Sequence, residues 1–453
     1  MNTNYVCNRY PLLESSLIEL PLGSVKAEGW LYTQLKLQAE GLTGNLEEIW
    51  EDVGSNSGWL GGAGENWERG PYYCDGLIPL AFILEDDGLI EKSMKWIEWT
   101  LKSQREDGFF GPEDNDDWWP RMIMLKVLKE YYEYTSDKRV ISFMKKYFKY
   151  QYENIDKKPL RMWAKARGGE NILAIYWLYN LTGDKFLIEL AQIIFNQTLD
   201  WTTYFEDIPF KESMKNYLPW DKFVDIGWEK ILTKKDMTDE QANELFNAYH
   251  MSHVVNVAMG IKEPILYYQQ SKNPMHKNAT KKGIVDLMKY HGVAYGMFTG
   301  DEHLSGNNPT QGTELCAVVE YMYSLENIIK VLAEGRIGDI LEKVAFNALP
   351  ATFTSDLCAH QYLQQANQVL CTIDQRNWYN NESDANIYGL EPNFGCCTAN
   401  MHQGWPKYVK NMWMATNDNG LAAITYGPCN VNAKVANGVN VMIKEETFYP
   451  FKD

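Results

Sequence analysis

Basic charge is scarce in this chain of 453 residues. Lysine and arginine together number 43, against 60 aspartate and glutamate residues, so the formal net charge is -17. No basic block interrupts that excess. Phosphate backbones and anionic lipid surfaces repel such a protein. The composition therefore argues against nucleic acid and against a membrane as partners.

Long apolar runs and dense cysteine are also missing. No window approaches the roughly twenty apolar residues of a membrane span. Residues 1–21 show no basic start followed by an apolar stretch, so we expect no signal peptide. The 8 cysteines are too sparse for a disulfide scaffold in a chain of this length. A reducing cytoplasm fits this usage and would keep thiolates available as ligands.

Helical patterns fill most of the chain. Turn sequences such as Thr135-Ser136-Asp137 and Thr182-Gly183-Asp184 separate them at a spacing of about 45 residues, which is typical of stacked helical hairpins. About a dozen helices are expected, among them one from Thr238 to Met259 and one from Met401 to Met414. Without any alternation of strands and helices, this pattern predicts a mainly α fold, an all-α toroid.

The two ends of the chain have a different character. Leu17 to Lys26 looks extended, and Leu421 to Tyr426 and Gly438 to Ile443 have the composition of strands. Two or three strands cannot bury a sheet on their own. We therefore expect a short C-terminal β segment beside the helices.

An adjacent cysteine pair carries the clearest chemistry. Cys396 and Cys397 follow Gly395 and precede a predicted helix, where the helix dipole lowers a thiol pKa. Together with Glu314 and Cys316 they would give one oxygen and three sulfur ligands, a set that zinc accepts. The alternative is that they are ordinary buried thiols, since the spacing matches no short zinc-finger motif.

The Glu-x-Cys sequence followed some eighty residues later by Cys-Cys-x-x-Asn resembles the zinc-thiolate family of β-L-arabinofuranosidases, which are retaining glycoside hydrolases. The resemblance covers nearly the whole chain. It implies an (α/α)6 barrel followed by β-sandwich domains, a zinc ion held by Glu314, Cys316, Cys396 and Cys397, and Cys396 as the nucleophile.

The resemblance also suggests a domain organisation. We expect an N-terminal extended segment over residues 1–24, the catalytic barrel over residues 25–415 and a partial β domain over residues 416–453. The last would correspond to the truncated start of a β-sandwich. A small oligosaccharide or glycoside is the expected partner, and a homodimer stays open.

A retaining glycosidase also needs an acid that then serves as a base. Glu302 lies in the polar, glycine-rich loop over residues 298–306, before Glu314. The resembling family places its acid/base glutamate on the corresponding loop but farther along. Glu302 is therefore the first choice and Asp301 the second. The alternative is a helix cap or a solvated turn.

The same resemblance points to two further side chains. His253 resembles a family histidine that begins a helix and contacts the sugar, and Tyr362 resembles a tyrosine near the nucleophile. His250 competes with His253, and a lone helix histidine is more often a hydrogen-bonded core group.

Three clusters of polar and aromatic residues, each standing before a predicted helix, could line a sugar pocket. They occupy residues 67–70, 114–121 and 163–169, and they supply Trp67, Asp117, Trp118 and Arg167 as candidates. Helix capping explains such clusters equally well. A calcium loop over the acidic residues lacks the EF-hand spacing.

Together these observations predict an exo-acting, retaining glycoside hydrolase that releases β-L-arabinofuranose. A different furanoside or plant sugar, a sugar-binding barrel without turnover, and an epimerase or lyase of the same fold are the alternatives. The last would use His or Tyr bases, and the cysteines would then be dispensable.

Overall fold

The computed structural model describes residues 1–447, and most of them are helical. The helices in the first half are α1 Gly29–Glu40, α2 Leu42–Ile49, α3 Arg69–Leu84, α4 Asp87–Lys102, α5 Trp119–Thr135, α6 Lys138–Asn154, α7 Met162–Ala166, α8 Gly168–Thr182, α9 Phe186–Gln197 and α10 Trp201–Glu206. Those that follow are α11 Trp220–Ile226, α12 Trp228–Thr233, α13 Asp239–Ser252, α14 Val254–Gly260, α15 Glu263–Ser271, α16 Pro274–His291, α17 Leu315–Leu332, α18 Gly335–Lys343, α19 Leu349–Ala351, α20 Cys396–Asn400 and α21 Gly404–Lys410.

The helices form two concentric rings. In the inner ring α3 packs on α5, α5 on α8, α8 on α15, α15 on α17 and α17 on α21, and α21 returns to α3. On the outside α4, α9, α16 and α18 each pack mainly on one inner helix, α6 packs on α5 and α8, and α1 lies against α3 and α21. The ring closes within the described residues, so the predicted (α/α)6 barrel is confirmed.

Burial patterns explain which helices lie inside. The inner helix α17 buries every side chain from Leu315 to Ile329. The outer helix α6 buries a stripe that includes Val140, Met144 and Phe148, spaced four residues apart. A helix that is apolar on all sides belongs in a core, whereas a striped helix covers one.

The inner helices begin at the same end of the barrel. Hydrogen bonds between residues at these starts join α3 to α5 and α8, α8 to α14, and α17 to α20. The residues at or directly before the starts of α3, α5, α8, α14, α17 and α20 are Glu68, Trp119, Arg167, His253, Glu314 and Cys396. In the chain, α14 and α20 precede the inner helices α15 and α21. Helix N-termini carry partial positive charge, which favours negative charge on the Glu314 and Cys396 side chains at this mouth of the barrel.

Ten short strands complete the described chain. They are β1 Leu17–Glu19, β2 Val25–Ala27, β3 Gly300–Asp301, β4 His303–Leu304, β5 Gly312–Glu314, β6 Leu363–Gln365, β7 Trp413–Thr416, β8 Leu421–Ala423, β9 Cys429–Val435 and β10 Val439–Glu445. They form three sheets, in the orders β1-β7-β8, β10-β9-β2 and β4-β3-β5-β6.

Two of these sheets join the chain ends. β1 pairs antiparallel with β7, placing Leu17 opposite Thr416, and β2 pairs antiparallel with β9, placing Val25 opposite Val431. The C-terminal strands therefore pair with strands near the N-terminus: β1 lies within the predicted segment over residues 1–24, and β2 lies just beyond it. Residues 448–453 of the predicted partial β domain lie outside the described residues.

The barrel axis holds buried ion pairs. Lys126 lies 3.2 Å from Asp75 and 3.0 Å from Glu170, and Lys407 lies 2.6 Å from Asp75. These side chains are almost completely excluded from solvent. Because a buried charge is costly without a partner, the pairs fix how the inner helices meet.

The predicted helix from Thr238 to Met259 is divided in the structure. His253 adopts an extended conformation (ψ 119°) between α13 and α14, and its side chain accepts a hydrogen bond from Asn256 N–H. The break turns the histidine from a mid-helix residue into a helix cap at the barrel mouth. Among residues 1–447 no helix has the length and apolarity needed to cross a membrane.

Candidate active site

Four potential metal ligands meet at the mouth of the barrel. Each of Glu314, Cys316, Cys396 and Cys397 offers one donor atom, and these atoms lie within 4.8 Å of one another. Glu314 ends β5, Cys316 lies in the first turn of α17, and the cysteine pair begins α20. The Cys316 backbone N–H donates to Cys397 Sγ at 3.3 Å, which ties the two helix starts together. The fold thus joins the two motifs found in the sequence.

The chemistry of this cluster suits a thiophilic cation. Burial raises the pKa of Glu314, Cys316 and Cys397 well above their ordinary values, whereas hydrogen bonds from the Cys316 and Cys397 thiols lower the pKa of Cys396. Glu314 Oε2 is buried and has no hydrogen-bond partner within residues 1–447. An orphan carboxylate oxygen beside three sulfurs fits a zinc ion.

Cys396 differs from the other three ligands because it is partly exposed, whereas they are buried. Gly395 makes this placement possible. A Cβ at Gly395 would clash with Glu391 and would lie 2.9 Å from the Trp50 ring and 3.0 Å from the Arg69 guanidinium. Only glycine lets the chain pass this close, so the Cys396 thiol can reach the open mouth.

Glu302 lies at the tip of a tight turn between β3 and β4. Its φ of 76° is unusual for a residue with a side chain and costs roughly 1–3 kcal/mol. His253 Nε2 donates to Glu302 Oε1 at 3.0 Å, since His253 Nδ1 accepts from Asn256 N–H, and the Tyr362 hydroxyl donates to Glu302 Oε2. The structure thus brings three predicted residues together and holds the carboxylate from two sides.

Tyr362 lies between Glu302 and the cluster. Burial and then the charges of Glu302, Glu314 and Cys396 raise the pKa of its phenol well above the ordinary value. The phenol therefore stays protonated and can donate to Glu302. Tyr362 is thus close to both the β3–β4 turn that carries Glu302 and the ligand cluster of Glu314 and Cys396.

Asp301, the second choice for the acid/base, is placed differently. It is completely buried, and Ser305 donates to one of its carboxylate oxygens while the other has no partner in the described chain. Burial raises the pKa of Asp301 to about 7. These contacts leave Glu302 as the more accessible of the two carboxylates.

Arg167 anchors the opposite wall. Its guanidinium is sandwiched between the rings of Trp119 and Trp163, at 4.5 and 4.6 Å from their centroids. It donates to Asn256 Oδ1 at 2.8 Å and lies 3.5 Å from Glu68 Oε2. This predicted residue therefore lies among the starts of four inner helices.

Several residues of this wall were not among the predicted site residues. Glu68 accepts from the Trp119 indole N–H, and burial raises the pKa of its carboxyl group, with the Cys396 charge adding to that shift. Trp163 packs edge to face against His253 at 4.9 Å. Glu68, Trp119 and Trp163 each belong to one of the three polar and aromatic clusters that precede helices. Composition alone could not distinguish them from their neighbours in those clusters.

The structure does not bring Asp117 or Trp118 to the metal-ligand cluster. Asp117 Oδ1 accepts from Trp119 N–H at 2.9 Å, as a helix cap does. Trp118 is buried, packs against Phe109, and donates its indole N–H to the Lys158 carbonyl at 2.8 Å. Their described contacts are structural.

Two other candidates, Trp67 and His250, lie next to residues of the site in the chain or in space. Trp67 is half-buried, directly precedes Glu68, and accepts from the Trp59 indole through its backbone carbonyl at 2.9 Å. His250, the competitor of His253, is buried between aromatic rings, and burial keeps the pKa of its imidazole well below the ordinary value. His250 is therefore neutral, and within residues 1–447 it has no carboxylate partner such as the one His253 has.

Solved structures share this fold. The chain aligns with a structure described as a glycoside hydrolase at TM-score 0.70 and 12% identity, over 99% of this chain and 69% of that one. It also aligns with a GH127 β-L-arabinofuranosidase from Geobacillus stearothermophilus T6 at TM-score 0.69 and 16% identity, over 94% and 71%. A GH127 β-arabinofuranosidase gives TM-score 0.65 and 14% identity, over 96% and 68%. No curated protein sequence matches this chain.

A sequence profile of the family described as "Beta-L-arabinofuranosidase, GH127 catalytic domain" matches residues 70–410, which include both cysteine motifs and the inner helices. The protein is accordingly an enzyme of the glycoside hydrolase class with a helical barrel. Within that class the chain belongs to the GH127 β-L-arabinofuranosidase family, as the resemblance in the sequence predicted.

Proposed function

We propose that this glycoside hydrolase releases a terminal β-L-arabinofuranosyl unit with retention, using Cys396 as nucleophile and Glu302 as acid/base. The observation that carries the proposal is the partly exposed Cys396 thiol at a buried carboxylate–thiol cluster. Tyr362 donates to Glu302, and the charge of Cys396 contributes to raising the pKa of its phenol. A nucleophile and a proton donor at the same barrel mouth meet the needs of double displacement.

In the first step Cys396 Sγ attacks the anomeric carbon and the glycosidic C–O bond breaks, while Glu302 gives its proton to the departing oxygen. In the second step Glu302 takes a proton from water, the water oxygen attacks the anomeric carbon, and the C–S bond breaks to restore the thiolate. His253 and Tyr362 hold Glu302 in position throughout.

Glu314, Cys316, Cys396 and Cys397 would hold a zinc ion. When bound, zinc would keep the sulfurs deprotonated at neutral pH. The chain itself contributes the buried surroundings of the cluster and the two helix N-termini that favour negative charge on the thiolates.

The charges at the mouth favour a neutral sugar. Arg69 pairs with Asp52 and Glu391, and Arg167 lies beside Glu68. Neither arginine is left to bind a substrate carboxylate. This supports a neutral furanoside over the anionic substrate that a lyase would need.

Metal content and activity test the proposal together. Purified wild type should contain about one zinc per chain by mass spectrometry, and Cys397→Ser should lose it. Cys396→Ala and Glu302→Gln should each lower kcat on an aryl β-L-arabinofuranoside by roughly a thousandfold or more. Cys358→Ser, which removes an exposed thiol, is the matched control and should keep full activity.

Other outcomes identify the alternatives. Full activity in Cys396→Ala would reject the thiolate mechanism and favour histidine or tyrosine chemistry. Zinc with arabinose binding but no turnover would leave a sugar-binding barrel. Turnover of a different furanoside would keep the machinery and change the sugar. A cytoplasmic location and a homodimer remain predictions, which fractionation and light scattering can test.

A further inference from the structure

A cavity of about 420 Å³ is lined by residues of the loop that leads into α3 at the catalytic mouth. That volume falls within the range of small-molecule sites. Asn66 is among its lining residues, and the next residues along the chain, Trp67 and Glu68, lead into α3 at the mouth. Asn115 donates to the Asn66 carbonyl at 2.9 Å, which fixes this connection. The cavity and the proposed catalytic site therefore share one continuous loop.

One wall of the cavity is nearly bare backbone. Gly58, Gly61, Gly62 and Gly64 line it. Gly61 has φ +87°, and a Cβ there would come within 2.7 Å of the Trp99 indole nitrogen. The absence of side chains leaves the half-buried Trp99 ring open to the cavity. A flat ring with a free N–H is a surface on which a sugar can stack and form hydrogen bonds.

The charges of the cavity are not paired. The Arg105 guanidinium lies over the Phe109 ring at 5.3 Å, and it forms no hydrogen bond or ion pair within residues 1–447. Its Nη2 is buried without a partner. Lys102 also lines the cavity and has no ion-pair partner in the described chain.

Two acidic side chains line the same cavity. Glu113 and Asp114 are exposed, and neither lies within ion-pairing distance of Arg105 or Lys102. Both acids can keep their charge in water. Arg105 is half-buried, so part of its guanidinium faces the cavity although Nη2 is closed to solvent. A buried donor without a partner is costly, and guanidinium groups match carboxylates in geometry.

We propose that this cavity binds a carboxylate-bearing sugar unit, with Arg105 and Lys102 on the carboxylate and the Trp99 ring beneath the sugar. The inference rests on the proposed function in one respect: it assumes that the acidic unit and the neutral furanoside that is cleaved belong to the same glycan. The enzyme would then recognise an acidic glycan through this cavity and remove a neutral substituent at the barrel mouth.

Calorimetric titration of the full-length protein with trigalacturonate tests the binding without any turnover, because this probe carries no arabinofuranosyl unit. Neutral galactotriose and inorganic phosphate are the comparison probes. Wild type should bind trigalacturonate at least tenfold more tightly than either one. Arg105→Gln should weaken that binding at least tenfold. Arg105→Lys should weaken it less, because lysine keeps the positive charge but cannot form the bidentate hydrogen bonds of a guanidinium.

The sign of each charge change provides a sharper test. Glu113→Gln and Asp114→Asn should strengthen trigalacturonate binding two- to threefold, because each removes repulsion. Lys149→Gln, which loses an exposed lysine on α6, should change nothing. Thermal melts of every variant identify any that fail to fold. If Arg105→Gln does not fold, the trigalacturonate affinity of Arg105→Lys tests the role of Arg105.

Three results would overturn the inference. Equal affinity for galactotriose would show that the carboxylate is not recognised, and equal affinity for phosphate would leave an ion site only. Unchanged trigalacturonate binding in folded Arg105→Gln would place the binding elsewhere. Because no arabinofuranoside is used, none of these results bears on Cys396 or on the proposed cleavage.

Discussion

Glu19→Gln should destabilise the protein although it lies far from the candidate site. Glu19 ends β1 and reaches the inner helices. Its carboxylate lies 2.7 Å from Lys129 Nζ and 3.5 Å from Lys410 Nζ, and it also pairs with Lys330. Lys129 and Lys410 have further carboxylate partners in Glu133. Lys330 has no other within residues 1–447, so the substitution leaves it unpaired.

The expected loss follows from burial. Removing one partner of a buried pair costs roughly 3–5 kcal/mol, and the side chains of Glu19 and Lys330 keep 15% and 18% exposure, which places the loss at the lower end. We expect the free energy of unfolding to fall by about 3 kcal/mol. Glutamine preserves the volume, so the change isolates the charge.

The loss should depend on pH. Burial alone would raise the pKa of Glu19, but Lys129, Lys330 and Lys410 together lower it well below the ordinary value. A depressed carboxyl pKa stabilises the fold above the unfolded-state pKa of about 4.3, and this contribution is lost as the pH falls through the folded pKa. The difference between wild type and Glu19→Gln should therefore be largest at neutral pH and shrink below about pH 4.

Guanidinium unfolding at pH 7 and at pH 3.5 measures both effects. Glu14→Gln is the matched control, because Glu14 is exposed and its partner is the N-terminal amine at 3.9 Å. It should cost less than about 0.5 kcal/mol. Adding Lys330→Met to Glu19→Gln should restore part of the loss by removing the orphan charge. The reasoning fails if Glu19→Gln matches the control or if its cost is the same at both pH values.

Three further predictions concern packing and catalysis. Gly395→Ala should lower both the melting temperature and kcat/KM, because its Cβ meets filled space on three sides; unchanged values for both would contradict the packing. Tyr362→Phe should lower kcat about 10- to 100-fold and leave KM nearly unchanged, since it removes a donor to Glu302, the proposed acid/base; an unaltered pH–rate profile would argue against that role. Gly260→Ala should cost about 2 kcal/mol or more, measured by thermal unfolding, because the new methyl would lie 2.5 Å from the Trp201 ring. Gly335→Ala meets nothing within 4 Å and serves as its control.

The ligand cluster could be predicted from its residue types together with the family resemblance, since the residue types alone left ordinary buried thiols as an alternative. A carboxylate and three thiols suit zinc whatever the intervening chain does, and the fold places the donor atoms of Glu314, Cys316, Cys396 and Cys397 within 4.8 Å of one another. The helical barrel could also be predicted, because helical periodicity and turn sequences are local signals. Whether zinc occupies the cluster stays a prediction.

Orientation could not be predicted in the same way. Trp118 and Trp119 are adjacent and equally aromatic, yet one packs in the core and the other supports Arg167. The direction in which α5 leaves its cap decides between them, and that depends on the neighbouring inner helices. The break at His253 depends likewise on a tertiary contact, since Val254 N–H donates to the Glu302 carbonyl at 2.9 Å.

Strand pairing between the chain ends was also beyond sequence reasoning. Val25 and Val431 pair across 406 residues, and nothing local in either strand identifies its partner. The extended segment that holds Val25 was predicted, whereas neither the strand that holds Val431 nor the pairing of the two was. Loop closure over such a distance is an effect of the whole fold.

The ring closure has a consequence for assembly during synthesis. Cys316 lies on the fifth inner segment and Cys396 on the sixth, and 80 residues separate them. At synthesis rates of about 5–20 residues per second, the first thiol emerges roughly 4–16 s before its partners. Until α20 docks, Glu314 and Cys316 can offer a metal only half of the cluster. A complete ligand set therefore comes late, and a cell that fills it must supply the ion after the barrel has closed or as its last helix packs.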